Sequence, residues 1–599
     1  MSLFALGESI PDTAHAVSVS LPTWQSNIGY EEGQKWVVER MTTGYPRFFI
    51  HKSIEGFAYD IVSSHGYASQ HALLFPTRGA ANRCVDFVTQ VQPTSSHKLE
   101  ILEFVLDTSK PVTPLVKKLS PTVSAVLLPE WSYAFAKQYW QHTGDGISSR
   151  RAEFCHSLLK DGLLVRESDT KTANGISNRA VRGPKRYQRA GFDDSSMDGT
   201  MPNVQSLAST EESLESSHFL EERFGRNLDL VLLERAKSAI RRRIAGLFVH
   251  DLDLQTDVWP TVNSNSRGMQ GLHESDVYLF PAGMNAIFNA HRVLLTARGQ
   301  LKSVCFGFPY VDTLKILQKF GPGCEFLGHA SSDDLDQLEN RLRSGDRYLA
   351  LFCEFPGNPL LISPDLKRIR RLADEFDFAV VVDETIGTFA NINVLPAADI
   401  VVSSLTKIFS GDSNVMGGSA ILNPKSKYYT ILKGGMNEVY EDTYWAEDVV
   451  FMERNSRDFL HRVDRINANA EAICATLVKH ASVKQIFYPK YNSSREHYDE
   501  FKLPDRGYGG LLSIVFENKT QAQTFYDSME IAKGPSLGTN FTLCSPYVLL
   551  AHYQELAWAA QFGVQEDLVR VSVGLEDTDL LERTFMKALK ATEASPNSV

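Results

Sequence analysis

Over the longer, C-terminal part of the chain the hydrophobic positions gather into short unbroken runs. Val277-Tyr278-Leu279-Phe280, Ser303-Val304-Cys305-Phe306, Tyr348-Leu349-Ala350-Leu351-Phe352, Ala379-Val380-Val381-Val382 and Asp399-Ile400-Val401-Val402 show no polar alternation. Strands covered on both faces of a parallel sheet read this way. Between the runs the apolar period lengthens to that of a helix, with Leu366, Ile369, Leu372, Ala373 and Phe376 on one stripe. Ser363-Pro364-Asp365 just ahead predicts the start of that helix, with Ser363 as N-cap, proline at the first position and an acid in the first turn. Strand–helix alternation predicts an open α/β sheet whose ligands lie beyond the carboxyl ends of its strands. Leu511–Phe516 predicts one more strand, after a glycine-rich loop at 507–510.

The N-terminal part has a different texture. Residues 99–106 and 123–128 predict strands, and 134–140 and 152–159 short helices. From 166 to 217 large apolar residues thin out in favour of Gly, Ser, Thr, Asn and acids, which predicts a disordered linker. The linker holds a basic patch around Arg179–Arg189 and then an acidic one, read as a solvated segment rather than a docking signal. The expected division is an N-terminal region at 1–164, the linker at 165–218, a large domain at 219–430 and a small C-terminal domain at 431–599.

Composition narrows the class. Of 599 residues, 43% are hydrophobic and 22% charged, and the net charge of -11 argues against a general nucleic-acid binder. Seven scattered cysteines without a CxxC pair suggest neither a disulfide framework nor a zinc site. No apolar run approaches the roughly 20 residues needed to cross a bilayer. Residues 1–31 carry acids and no Lys or Arg, unlike a secretory or mitochondrial leader. A cytoplasmic protein is expected, the nucleus being the alternative, with neither membrane nor nucleic acid as partner and with no metal. Arg241-Arg242-Arg243 reads as a solvated helix face, and His273, His291 and His552 as ordinary polar packing.

Chemistry is sought at the strand ends. After the run ending at Phe280 comes Pro281-Ala282-Gly283-Met284, a glycine turn opening a helix, where backbone N–H groups and the helix dipole suit a phosphate. Asp383 follows Val382, and a carboxylate at the end of a buried strand needs a partner. Ser403-Ser404-Leu405-Thr406-Lys407 follows Val402, with two hydroxyls suited to phosphate and a lysine suited to a Schiff base. Alone, each has an ordinary reading: a tight turn, a loop cap, a surface lysine. Together they are the parts of a pyridoxal phosphate site, which needs a Schiff-base lysine, an acid for the pyridinium nitrogen and a phosphate socket.

From about residue 219 to 580 the chain resembles the Cys/Met-metabolism family of pyridoxal-phosphate enzymes, and within it the branch that makes cystathionine in fungi. The resemblance implies a fold-type I transferase-like large domain with a mostly parallel sheet, a smaller α+β C-terminal domain and an extra N-terminal α/β region. It implies Lys407 as the Schiff-base lysine, Ser404, Thr406, Gly283 and Met284 at the phosphate, and Asp383, followed by Thr385, at the ring nitrogen. Tyr310 would stack on the ring and Asn358 would touch its hydroxyl side. Catalytic roles fall to Lys407, Tyr310 and Asp383. Arg570 would grip the substrate's α-carboxylate, with Ser536 and Lys315 beside the substrate. Arg226, in Phe224-Gly225-Arg226, matches the family's Tyr-x-Arg, which reaches a neighbouring subunit's phosphate. Tyr45-Pro46-Arg47 is a rival placement, set aside because it lies too far from Gly283. The implied reaction is γ-replacement on an O-acylhomoserine by L-cysteine, in a homodimer or homotetramer. Sulfhydrylation, a carbon nucleophile, cystathionine cleavage and a catalytically weak interaction protein are the alternatives.

Overall fold

The computed structural model describes residues 4–46, 48–67, 69–93, 99–170, 230–247 and 265–593. At its centre is a seven-stranded sheet in the order β7-β13-β12-β11-β10-β8-β9. Its strands are β7 (Val277–Phe280), β8 (Ser303–Phe306), β9 (Cys324–Leu327), β10 (Ala350–Glu354), β11 (Ala379–Asp383), β12 (Ile400–Ser404) and β13 (Gly418–Leu422). All run in one direction except β13, which pairs antiparallel with both β12 and β7. This is the mostly parallel sheet expected of the large domain. The unbroken apolar runs exist because both faces are covered: Val380, Val382 and Leu351 pack into one core, and Val381, Val402 and Phe352 into the other. β13 had no such signature, because Gly418 and Ser419 begin it within a glycine-rich stretch.

The helix Leu366–Phe376 buries Leu366, Ile369, Leu372 and Ala373, as its stripe predicts. Its start is corrected: Asp365, not Ser363, is the N-cap, its carboxylate accepting the Arg368 N–H. An acid one residue before the first turn satisfies the orphan donors better than a serine two residues further out. Arg243 is a second correction. It is buried and bonded to Glu453 (2.8 Å) and Ser456 (3.1 Å), so the Arg241–Arg243 triplet is only partly a solvated face.

The C-terminal part is α+β, with a sheet in the order β14-β15-β18-β17-β16. These are β14 (Val483–Phe487), β15 (Leu511–Phe516), β16 (Ala532–Lys533), β17 (Leu543–Ser545) and β18 (Val569–Ser572). The N-terminal region holds a two-stranded ribbon, β1 (Ser9–Ile10) with β2 (Ser18–Val19), and a four-stranded sheet in the order β3-β5-β4-β6. The latter comprises β3 (Gln70–Phe75), β4 (Glu100–Leu106), β5 (Val123–Pro129) and β6 (Leu164–Arg166), paired antiparallel throughout. Helices Lys52–His65, Arg78–Val91, Glu130–Thr143 and Ser149–Lys160 pack on this sheet around their own core. Ahead of it, residues 4–46 and 48–50 run as a strap over the rest of the protein. Val17 N–H donates to Ser413 O (2.8 Å), Leu21 N–H to Lys533 O (2.9 Å) and Trp24 N–H to Asp527 (2.7 Å). Among the described residues, no helix is long and apolar enough to cross a membrane.

Candidate active site

One cavity opens beyond the carboxyl ends of β7, β8, β10, β11 and β12, where the topology predicts ligands. Gly283, Met284, Tyr310, Asn358, Asp383, Thr385, Ser404, Thr406, Lys407, Ser536 and Arg570 line it, with Glu354, Tyr45 and Tyr547. Lys315 is not among them. It sits within the helix Val311–Lys319 and pairs with Glu555 (3.1 Å). Arg226 and the acidic and basic patches of the linker lie outside the described residues, as does Arg47.

The phosphate end is built from a helix start and a strand end. The helix Gly283–Arg298 has Ala282 as its N-cap, with no side chain closing its first turn. The first-turn N–H groups therefore have no internal acceptor and make an anion site. A Cβ on Gly283 would lie 2.6 Å from Ser404 Cβ and 2.8 Å from Ser404 Oγ, so only glycine lets the turn meet the end of β12. Thr406 Oγ1 accepts from Gly417 N–H (3.1 Å), and Thr385 Oγ1 accepts from Ser404 N–H (2.8 Å), which fixes both hydroxyls.

Two acids lie at the ends of adjacent strands. Asp383 ends β11 and accepts the Thr385 N–H (2.8 Å), and Glu354 ends β10 directly opposite it in register. Burial pushes both carboxyls above the usual range, and the charge of Asp383 raises Glu354 further. Glu354 accepts N–H groups from Tyr310 and from Asn358 (3.0 Å), which ties the β8 and β10 loops together. Glu354 was not singled out from the sequence. Glu384, next in the chain after Asp383, is buried in a paired fork with Arg267 (2.6 and 2.7 Å) and belongs to the core.

Lys407 is buried, and its Nζ donates to Tyr45 Oη (2.9 Å) and Ser536 Oγ (3.1 Å). Tyr45 is the clearest correction. Spacing set it aside, yet the strap carries it into the cavity, because the N-terminal sheet and helices intervene between it and Gly283. The Tyr-Pro-Arg segment was the signal for Tyr45, and distance along the chain did not keep it from the cavity. Gly538 at φ +67°, where a Cβ would meet Lys407 Cβ at 2.8 Å, brings the small-domain loop directly onto the lysine.

Arg570 reaches the cavity from β18. Its Nη1 donates to Asn358 Oδ1 (3.1 Å) and its Nη2 to Ser536 O (2.7 Å), and the guanidinium lies 4.5 Å from the centroid of the Tyr547 ring. It is 6% exposed, and its hydrogen-bond partners among the described residues are these two neutral oxygens. A buried cation with neutral partners is an anion receptor, and the fork suits a carboxylate.

These groups fit pyridoxal phosphate. The uncapped helix start with its glycine would suit the phosphate and Asp383 a protonated ring nitrogen, and the Lys407 amine is within the same walls. The family model described as "Cys/Met metabolism PLP-dependent enzyme" matches residues 260–590, and that of the "Fungal trans-sulfuration enzyme, N-terminal domain" matches 53–148. The chain is 59% identical to the cystathionine gamma-synthase of Neurospora crassa, over 99% of each chain. It is 38% identical to the cystathionine gamma-synthase of Saccharomyces cerevisiae over 98% of each. To the cystathionine gamma-synthase-like enzyme iboG2 of Amanita muscaria it is 40% identical, over 97% of this chain and 96% of that one. With over half its length matched by the family model and these relatives aligned nearly end to end, the chain belongs to the Cys/Met-metabolism PLP-dependent enzymes.

Proposed function

We propose that this enzyme catalyses γ-replacement on an O-acylhomoserine by L-cysteine, giving L-cystathionine on the route to methionine. The observation that carries the reading is Lys407, whose amine shares one cavity with Arg570 and Asp383, in a chain 59% identical to a cystathionine gamma-synthase. Bound there, pyridoxal phosphate would supply an electron sink for negative charge developing at the amino acid's α-carbon.

The chain's residues do the rest. Asp383, at the end of β11, would hold the proton on the cofactor's ring nitrogen. Gly283 and Met284 N–H groups, with Ser404 and Thr406, bind the phosphate. Tyr310 and Asn358, which line the same cavity, would hold the cofactor's ring. Arg570 holds the substrate's α-carboxylate through N–H groups beyond those given to Asn358 and Ser536. Lys407 Nζ takes the α-proton and delivers protons to the neighbouring carbons. The Tyr45 and Ser536 hydroxyls hold that amine in place. The buried walls keep water from competing with cysteine's thiolate.

We further propose a homodimer or homotetramer; its action in the cytoplasm is supported by seven cysteines that are all free. The test is a substrate panel on purified enzyme: O-acylhomoserine with cysteine, with sulfide or with a carbon acid, and cystathionine alone. Cystathionine formed fastest, and lost in Lys407→Ala together with the bound chromophore, is the expected result. Faster use of sulfide or a carbon acid, or net cleavage of cystathionine, overturns the reaction. A wild-type protein that binds no pyridoxal phosphate overturns the site.

A further inference from the structure

The Gly283 turn has a second side, and the catalytic scheme uses none of it. Asn285, in the first turn of the same helix, donates its amide to Asp145 Oδ1 (2.6 Å) and to Thr143 O (3.1 Å), both in the N-terminal domain. Asp145 Oδ2 accepts from Tyr139 Oη (2.5 Å), from Arg83 Nε (3.1 Å) and from Arg83 Nη2 (3.0 Å). Arg83 Nη1 continues to Glu441 Oε1 (2.6 Å), whose other oxygen accepts from Thr77 Oγ1 (2.5 Å) at the start of the helix Arg78–Val91. Gly144, at φ +65°, lies so close that a Cβ there would be 3.2 Å from the Asn285 backbone nitrogen. Asn285 and Asp145 are 3% and 5% exposed, so the inner end of this chain of bonds is sealed between the domains, while Arg83 and Glu441 at its outer end are half-buried.

A helix start with no side-chain cap has its first turn held by little of its own. An acid beside it would also compete with a phosphate, unless that acid were neutralised. Here Arg83 neutralises Asp145, and Asp145 fixes Asn285, two residues from Gly283. We propose that Asp145 and Asn285 are positioning residues for the cofactor's phosphate: through them the N-terminal domain holds in place the turn whose N–H groups bind it. The proposal rests on the reading of the Gly283–Met284 turn as the phosphate site.

The experiment titrates full-length apoenzyme with pyridoxal phosphate and, separately, with pyridoxal, which lacks the phosphate. Intrinsic fluorescence and the absorbance of the lysine adduct report binding. Wild type is compared with Asp145→Asn, which keeps volume, and with Asn285→Ala. The expected result is a tenfold or larger rise in Kd for pyridoxal phosphate in each variant, with Kd for pyridoxal changed less than twofold and the double variant no worse than the poorer single one. Unchanged affinity for pyridoxal phosphate overturns the proposal. So does equal weakening toward both ligands, which marks a general structural role; a variant that does not fold counts with this second outcome if Asp145→Asn and Asn285→Ala share it. If wild type itself binds pyridoxal as tightly as pyridoxal phosphate, the reading of the turn fails first.

Discussion

Arg570 offers the sharpest quantitative test of the substrate side. Its guanidinium is buried, leans on Tyr547 and has only neutral acceptors, Asn358 Oδ1 and Ser536 O. Burial accordingly lowers its pKa. A substrate carboxylate would add charge-assisted hydrogen bonds, each worth about 1.5–3 kcal/mol. A bidentate grip is thus worth about 3–6 kcal/mol, or roughly two to four powers of ten in kcat/KM. Arg570→Lys keeps a charge but loses the fork and its two neutral tethers. We expect Arg570→Ala to lose kcat/KM by about a thousandfold, and Arg570→Lys by about a hundredfold. Bound pyridoxal phosphate should stay at the wild-type level in both. The decisive comparison uses the decarboxylated analogue of the substrate. Wild type should discriminate strongly against it, and Arg570→Ala should hardly discriminate at all. Undiminished discrimination in the variant refutes the carboxylate role, as does loss of the cofactor instead of turnover.

Three further outcomes follow from the same geometry. Gly283→Ala forces a Cβ to within 2.6 Å of Ser404 Cβ, overpacking that costs about 1–3 kcal/mol; titrating apoenzyme with pyridoxal phosphate should show a weaker Kd, and an unchanged one sinks the cradle. Tyr45→Phe removes the hydroxyl 2.9 Å from Lys407 Nζ; kcat should fall about tenfold, the worth of one hydrogen bond to a charged group, with cofactor content intact, and an unchanged kcat rejects the role. For Asp383 and Glu354 burial raises the folded pKa above the unfolded value. Between those values the folded apoprotein holds protons that the unfolded chain releases. Their contribution to stability is therefore present in acid and lost as pH rises through the raised pKa, at about 1.4 kcal/mol for every pH unit between the folded and unfolded values. Thermal midpoints of apoenzyme should fall less steeply from pH 5 to pH 8 in Asp383→Asn than in wild type, and parallel slopes contradict this.

Legibility followed burial and locality. The runs at 379–382 and 399–402 could be read as strands because both faces of the sheet are covered and nothing polar is tolerated. Asp383 stood out because it follows such a run directly, and Lys407 because it closes the Ser-Ser-Leu-Thr-Lys segment just after one. Asn285 gave no signal, because its value lies in Asp145, which the fold delivers from a separate domain. Tyr45 was visible as a motif but discounted by spacing, since an intervening domain lengthens the chain without lengthening the path. Arg243 looked solvated because a run of three arginines seldom reveals which one turns inward to a buried acid such as Glu453.

The strap and the N-terminal domain make sense as the answer to an electrostatic problem. Lys407 and Arg570 are buried cations, Glu354 is a buried acid and Asp383 a half-buried one. None pairs with an opposite charge from this chain, among the described residues, at ion-pair distance. Such groups are costly while the cavity lacks a ligand. Their complement is a molecule with a phosphate, a protonated ring nitrogen and, on the incoming amino acid, a carboxylate. Groups of this kind act strongly only where water is excluded and the walls are fixed. The open edge of an α/β sheet cannot supply such walls alone. The small domain contributes the loop at Ser536 and Gly538, the strap lays Tyr45 across Lys407, and the N-terminal domain braces the helix start through Asp145. Residues far from the chemistry in sequence thereby set the rigidity of its surroundings. Changes in that third of the chain should therefore appear first in cofactor affinity and in the placement of Lys407, before they appear in the stability of the central sheet.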